Sequence, residues 1–131
     1  MKQRVWTMIL AVVLGLVPII GPPGGTGQEQ PQKLNPYTGN SEAIKEGQKL
    51  FTLYACSGCH GAGGGGGMGI PLTDDVWKYG GDDATLMKLI KGEIAESPMP
   101  KFGGTLTEEQ IWKIIAYIRS LYQGNPALIV W

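Results

Sequence analysis

Cys56-Ser57-Gly58-Cys59-His60 places two thiols one tight turn apart with an imidazole directly behind them, and it uses both cysteines and the one histidine of the 131-residue chain. This is the pattern through which haem becomes covalently attached. Each thiol can form a thioether with one haem vinyl group, and the single-turn spacing brings both sulfurs to the same porphyrin edge. His60 is then carried under the iron as its proximal ligand. Other chemistries of the motif fit less well. Thioredoxin-type redox work needs a βαβ context that the flanking sequence lacks. A closed zinc site needs four N or S ligands, and the chain can supply three. A plain disulfide suits an exported protein but leaves His60 without a role.

Export is written at the other end of the chain. Lys2 and Arg4 precede an uncharged stretch, Val5 to Ile20, rich in Leu, Val and Ile. That is the basic and apolar layout of a secretory signal. As a helix the stretch would span roughly 24 Å, short of the roughly 30 Å hydrocarbon core of a bilayer. Gly15 and Pro18 weaken it further as a span. Residues 1–27 are therefore expected to be a signal peptide or an N-terminal membrane anchor, and length favours cleavage over anchoring. Either way the remainder lies in the periplasm or on the outer face of the cytoplasmic membrane, where bacteria attach haem.

Beyond residue 27 the chain holds 9 basic and 11 acidic side chains, a formal charge of −2. That balance excludes an electrostatic footprint for nucleic acid. Residues 28–39, rich in Gln, Pro, Asn and Gly, read as a linker. A first helix is expected from Asn40 or Ser41, with Ala43, Ile44, Gly47, Leu50, Phe51 and Tyr54 at three- and four-residue spacing, running directly into Cys56. Asp82-Asp83 caps a second, which Gly92 stops. Thr107-Glu108-Glu109-Gln110 is a capping box for a third, continuing through Ile111, Ile114, Ile115, Ile118 and Leu121. Beta periodicity is absent. The expectation is an all-α domain over residues 40–123, with an apolar C-terminal tail over 124–131 that folds back on it. The long loops between the helices make sense with a cofactor at the centre.

Residues 61–69 contain seven glycines, which hold neither helix nor strand well. No G-K-[ST] follows, so this is no phosphate loop; a flexible loop over the haem edge is the simpler account. Met99 is the expected distal iron ligand. It lies far beyond His60 in the chain, between Pro98 and Pro100, in a segment stiff enough to hold a thioether at fixed distance. Met87 sits at core spacing and Met68 is too near His60. His/Met ligation fills both axial positions and raises the potential, which describes an electron carrier; an open distal site would instead suit a haem enzyme or gas sensor.

Gly47 and Phe51, the motif at Cys56 to His60, Met99-Pro100-x-Phe102-Gly103 and Tyr117 together resemble the class I c-type cytochromes, over about residues 40–122. The resemblance implies a small class I cytochrome c fold around one covalent haem c held by Cys56 and Cys59. It implies that Gly47, Phe51 and Tyr117 lie where the first and last helices cross. The stretch Asp74 to Gly80 is similar to bacterial members of respiratory chains and quinoprotein dehydrogenase systems. By that likeness Trp77 or Tyr79 hydrogen-bonds a haem propionate, with rim packing as the alternative. The family's Gly-Pro-x-Leu segment, whose backbone carbonyl accepts the proximal histidine's N–H, aligns with Gly69-Ile70-Pro71-Leu72. Ile70 stands where proline is expected, which leaves the geometry of that bond open. The implied partners are redox proteins, a dehydrogenase donor and a terminal oxidase acceptor, with no catalytic residue of the chain's own.

Overall fold

The computed structural model describes residues 35–129; the N-terminal apolar stretch and the last two residues lie outside them. Four helices, α1 (Ser41–Leu53), α2 (Cys56–His60), α3 (Asp83–Lys91) and α4 (Glu108–Ser120), and a 3-10 turn at Pro126–Leu128 make up the regular structure, with no strand among the described residues. No helix there is long and apolar enough to cross a membrane.

Each of the longer helices begins on a side chain suited to it. Asn40 accepts from the Ala43 N–H at 3.0 Å, satisfying a backbone donor that the first turn leaves unpaired. Asp82 does the same for the Thr85 N–H at 2.8 Å. At α4 the capping box is complete. Thr107 Oγ1 accepts from the Gln110 N–H at 3.2 Å, while the Gln110 side chain accepts from the Thr107 N–H at 2.9 Å. Gly92 ends α3 in the left-handed conformation at φ 83°, as a helix stop commonly does.

Helices α1 and α4 cross at the centre of the fold. Gly47 lies so close to the α4 backbone that a Cβ there would overlap the Lys113 carbonyl oxygen and stand 2.6 Å from its carbon. Absence of a side chain at 47 is what allows the two backbones to meet. Beside the contact, Phe51 and Tyr117 pack edge to face with centroids 5.3 Å apart, an arrangement that aromatic quadrupoles favour. Lys113 clasps the crossing from outside, bonding Glu46 on α1 and Glu109 on α4, both at 2.8 Å. The core then continues through Ile111, Ile114 and Ile115 to Leu86, Met87 and Ile90 of α3.

At the helix and domain boundaries the structure departs from the sequence expectations at three places. The first helix does not run into Cys56: it stops at Leu53, and Ala55 takes a left-handed φ of 56° that starts α2 as a separate turn. The folded body begins before residue 40, because Asn35 is buried and donates from Nδ2 to the Trp112 carbonyl at 2.7 Å. The residues up to 39 therefore belong partly to the domain rather than to a linker. The third expected helix ends at Ser120, one residue before Leu121, and the chain returns through a Gln123 N–H bond to the Thr73 carbonyl at 2.9 Å.

An enclosed ion pair ties the ends of two helices together. Asp83 is 1% exposed and meets Arg119 at 2.6 Å, while its other oxygen accepts from the Asn35 N–H at 3.2 Å. The start of α3, the end of α4 and the entering chain are thereby joined. Arg119→Leu would leave a carboxylate buried without its cation, so a loss of about 3 kcal/mol is expected in guanidinium unfolding of the holoprotein.

Candidate haem site

The short helix α2 holds the attachment motif, and its two thiols differ in surroundings. Cys56 is buried, Cys59 is half-buried, and no disulfide joins them. Burial pushes the Cys56 thiol above its ordinary pKa and the neighbouring Cys59 adds to this, against a downward pull from a backbone hydrogen bond. An attacking thiol of thioredoxin type needs a lowered pKa, so the environment argues against dithiol redox chemistry.

The glycine stretch after His60 is not the loose loop its composition suggests. It folds back on α2 through backbone bonds, from Gly66 N–H to the His60 carbonyl at 2.8 Å and from Gly69 N–H to the Cys59 carbonyl at 2.9 Å. A further bond from Leu72 N–H to the Gly64 carbonyl, 2.7 Å, closes it against the core. Tyr117 of α4 donates to the Ala62 carbonyl at 3.3 Å. Backbone hydrogen bonding replaces what side chains would otherwise do.

That folding delivers Ile70 to the imidazole. His60 Nδ1 lies 2.9 Å from the Ile70 carbonyl oxygen. A carbonyl can only accept, so the hydrogen is on Nδ1 and the Nε2 lone pair is left available to a metal. Gly69 makes the approach feasible: a Cβ there would stand 2.7 Å from His60 Cε1 and 2.9 Å from Nδ1. In Gly69→Ala the ring must turn or the loop must retreat, which weakens the hydrogen bond. A weaker bond makes the imidazole a poorer donor, so the midpoint potential of the holoprotein should rise, by about 60 mV for each tenfold change in relative affinity for the two oxidation states. Potentiometric titration measures it.

Cys56, Cys59, His60 and Met99 all face one cavity of about 370 Å³, whose wall also takes in Ile114 and Ile118 of α4. Among the described residues on that wall, Lys78 alone carries a full charge. An apolar slot with both thiols on its wall fits a flat, mostly apolar prosthetic group attached by two thioethers. When bound, haem supplies a one-electron iron couple. Cys56 and Cys59 would hold it covalently and His60 Nε2 would ligate its iron.

Three methionines fall among the described residues, and their settings separate them. Met87 is buried in the core and does not line the cavity. Met68 borders the cavity but is 89% exposed, at the tip of the glycine loop that folds on His60 itself. Met99 is half-buried on the cavity wall and comes from a different segment, so it would be placed to supply a second iron ligand. Trp77 and Tyr79 also line the cavity. Tyr79 is engaged elsewhere, its hydroxyl donating to the Glu96 carbonyl at 2.8 Å, an interaction that no sequence pattern signals.

The helix crossing at Gly47, Phe51 and Tyr117, the attachment motif on α2 and the cavity it faces define a class I c-type cytochrome domain. The chain belongs to the family described as "Cytochrome C oxidase, cbb3-type, subunit III", whose model matches residues 42–118. Among curated relatives it is 39% identical over 98 residues to the "Cbb3-type cytochrome c oxidase subunit FixP" of Sinorhizobium medicae, covering 66% of this chain and 34% of that one. It is 34% identical over 99 residues to "Cytochrome c-L" of Methylorubrum extorquens, covering 74% and 49%. The chain thus spans between about a third and a half of the length of these relatives. Among solved structures, cytochrome cL of Methylophaga aminisulfidivorans matches with a TM-score of 0.60 and 41% identity, covering 66% of this chain and 57% of that one. Cytochrome cL of Hyphomicrobium denitrificans matches with a TM-score of 0.64 and 32% identity, covering 70% and 55%.

Proposed function

We propose that this chain is a one-electron carrier with a haem c held by Cys56 and Cys59 and ligated axially by His60 and Met99, working between a periplasmic or membrane dehydrogenase and a terminal oxidase. The observation that carries the reading is the convergence of His60, with its Nε2 lone pair available, and Met99 on one apolar cavity. Two protein ligands leave no position for a substrate, so the chain's residues serve transfer rather than bond-making chemistry. The Nδ1–H bond to Ile70 fixes the imidazole plane. Proline on both sides of Met99 stiffens the other ligand's segment. Small rearrangement between charge states follows from both. The apolar wall excludes water and disfavours the extra positive charge of the ferric state, which raises the potential. Trp77, with its indole on the cavity wall, is the donor left to meet a propionate. An oxidase acceptor is supported by the relatives named as cbb3-type oxidase subunits.

The test uses purified holoprotein. A reversible one-electron titration, a weak far-red sulfur-to-iron band in the oxidised form and slow carbon monoxide binding in the reduced form are expected. Reduced protein should also support oxygen uptake by membranes carrying a cbb3-type oxidase. Rapid carbon monoxide binding to the native reduced protein would instead assign an enzyme or gas sensor with a labile distal ligand.

A further inference from the structure

We propose that Tyr79 is a positioning residue for Met99, acting as a latch that holds the 96–101 segment over the cavity. The proposal rests on the His60 and Met99 reading above. The C-terminal side of the segment is fastened by backbone: Phe102 N–H bonds the Ile90 carbonyl at 2.9 Å, and Gly103 N–H bonds the Lys91 carbonyl at 3.3 Å. Lys101 packs directly on Gly92 at the end of α3. On the N-terminal side Glu93 N–H bonds the Lys88 carbonyl at 2.9 Å, and between there and Met99 the bonds are local. Ser97 N–H reaches the Ile94 carbonyl at 3.2 Å, and Met99 N–H reaches Ser97 Oγ at 3.3 Å. These shape the segment but do not attach it to anything.

Attachment comes from 17 residues upstream, where Tyr79 Oη donates to the Glu96 carbonyl at 2.8 Å. Among the described residues it is the one hydrogen bond that joins residues 94–101 to a part of the chain before α3. The phenol itself is held, with Lys78 Nζ 5.1 Å from its ring centroid, within cation–π range. A phenol has one proton to donate, and here it goes to Glu96. Tyr79 therefore acts on the axial ligand through its loop rather than on a propionate. Released from Glu96, residues 94–101 would be fastened at their two ends, Glu93 and Phe102, and would swing out between them, carrying Met99 away from the cavity.

Tyr79→Phe keeps the ring and removes only the latch. Carbon monoxide binds the reduced protein only while Met99 is away, so the binding rate reports the released fraction. The rate is expected to rise about five- to tenfold, the population change that a lost neutral hydrogen bond supplies. The far-red sulfur-to-iron band should weaken or become more easily lost on warming. Hydrogen exchange should quicken at residues 97–101 and not in α4.

The latch is overturned if Tyr79→Phe binds carbon monoxide at the native rate with its far-red band intact. A shifted potential with that rate unchanged overturns it too, and returns Tyr79 to the propionate. So does failure of the variant to retain haem, since one lost hydroxyl on a half-buried loop should not prevent attachment. Native protein without the far-red band, and with Met99→Ala no different from it, would instead remove the underlying His60 and Met99 reading.

Discussion

Met99→Ala holoprotein is expected to show a midpoint potential lower by on the order of 0.2 V, within the roughly 0.8 V range that axial ligands command. A thioether is a neutral, soft donor that favours the ferrous state, and water or hydroxide in its place favours the ferric. The same variant should lose the far-red band and bind carbon monoxide in the reduced form at least about tenfold faster, because the sixth position then has no competing protein ligand. Met99 is half-buried and lies outside the helices, so the fold should survive and the spectra of α4 aromatics should be unchanged. Met68→Ala is the control. Met68 is 89% exposed on the loop beside His60, and its removal should leave potential and ligand binding as in the native protein. If Met68→Ala reproduces the phenotype and Met99→Ala does not, the ligand has been assigned to the wrong segment.

Gly47→Val should be the most damaging single change to the fold. Its Cβ would enter the Lys113 carbonyl group, and backbone cannot swing aside as a side chain can. The helices must separate, which opens the contact between Phe51 and Tyr117 and exposes the buried isoleucines of α4. Overpacking of an ordinary core costs about 1–3 kcal/mol, and a clash against backbone at the principal helix contact should lie at or beyond the upper end. Two measurements check it: the yield of protein with covalently bound haem, expected to fall sharply, and the denaturation midpoint of whatever is recovered. Gly47→Ala should show a smaller loss in the same direction. Native-like stability for the valine variant would mean that α1 and α4 tolerate a wider separation than their backbones show here.

Much of the architecture can be read from the chain because its signals are local. Asn40, Asp82, Thr107 and Gly92 announce their roles through residue type and offset, and each performs that role in the structure. The attachment motif is local as well, so Cys56, Cys59 and His60 can be named from their own short stretch of chain. Legibility fails where a contact joins distant parts of the chain through backbone atoms. The Glu96 carbonyl that receives Tyr79 has no side-chain signature, nor does the Trp112 carbonyl that draws Asn35 into the fold. Glycine composition is likewise misleading at residues 61–69. Low intrinsic order is outweighed there by hydrogen bonds that depend on the register of the returning chain, which composition does not encode.

The carbonyl beside His60 belongs to the Ile70–Pro71 peptide, and its nitrogen is therefore a proline nitrogen. Such a tertiary amide is a stronger acceptor than the secondary amides elsewhere in the loop, and proline restricts the residue before it to extended backbone. The imidazole's donor strength is thus governed by a class of amide rather than by a titrating side chain. The Ile70 carbonyl itself has no proton to gain or lose. The pull on His60 should stay constant across the physiological pH range, whatever the acidity of the compartment in which the chain works.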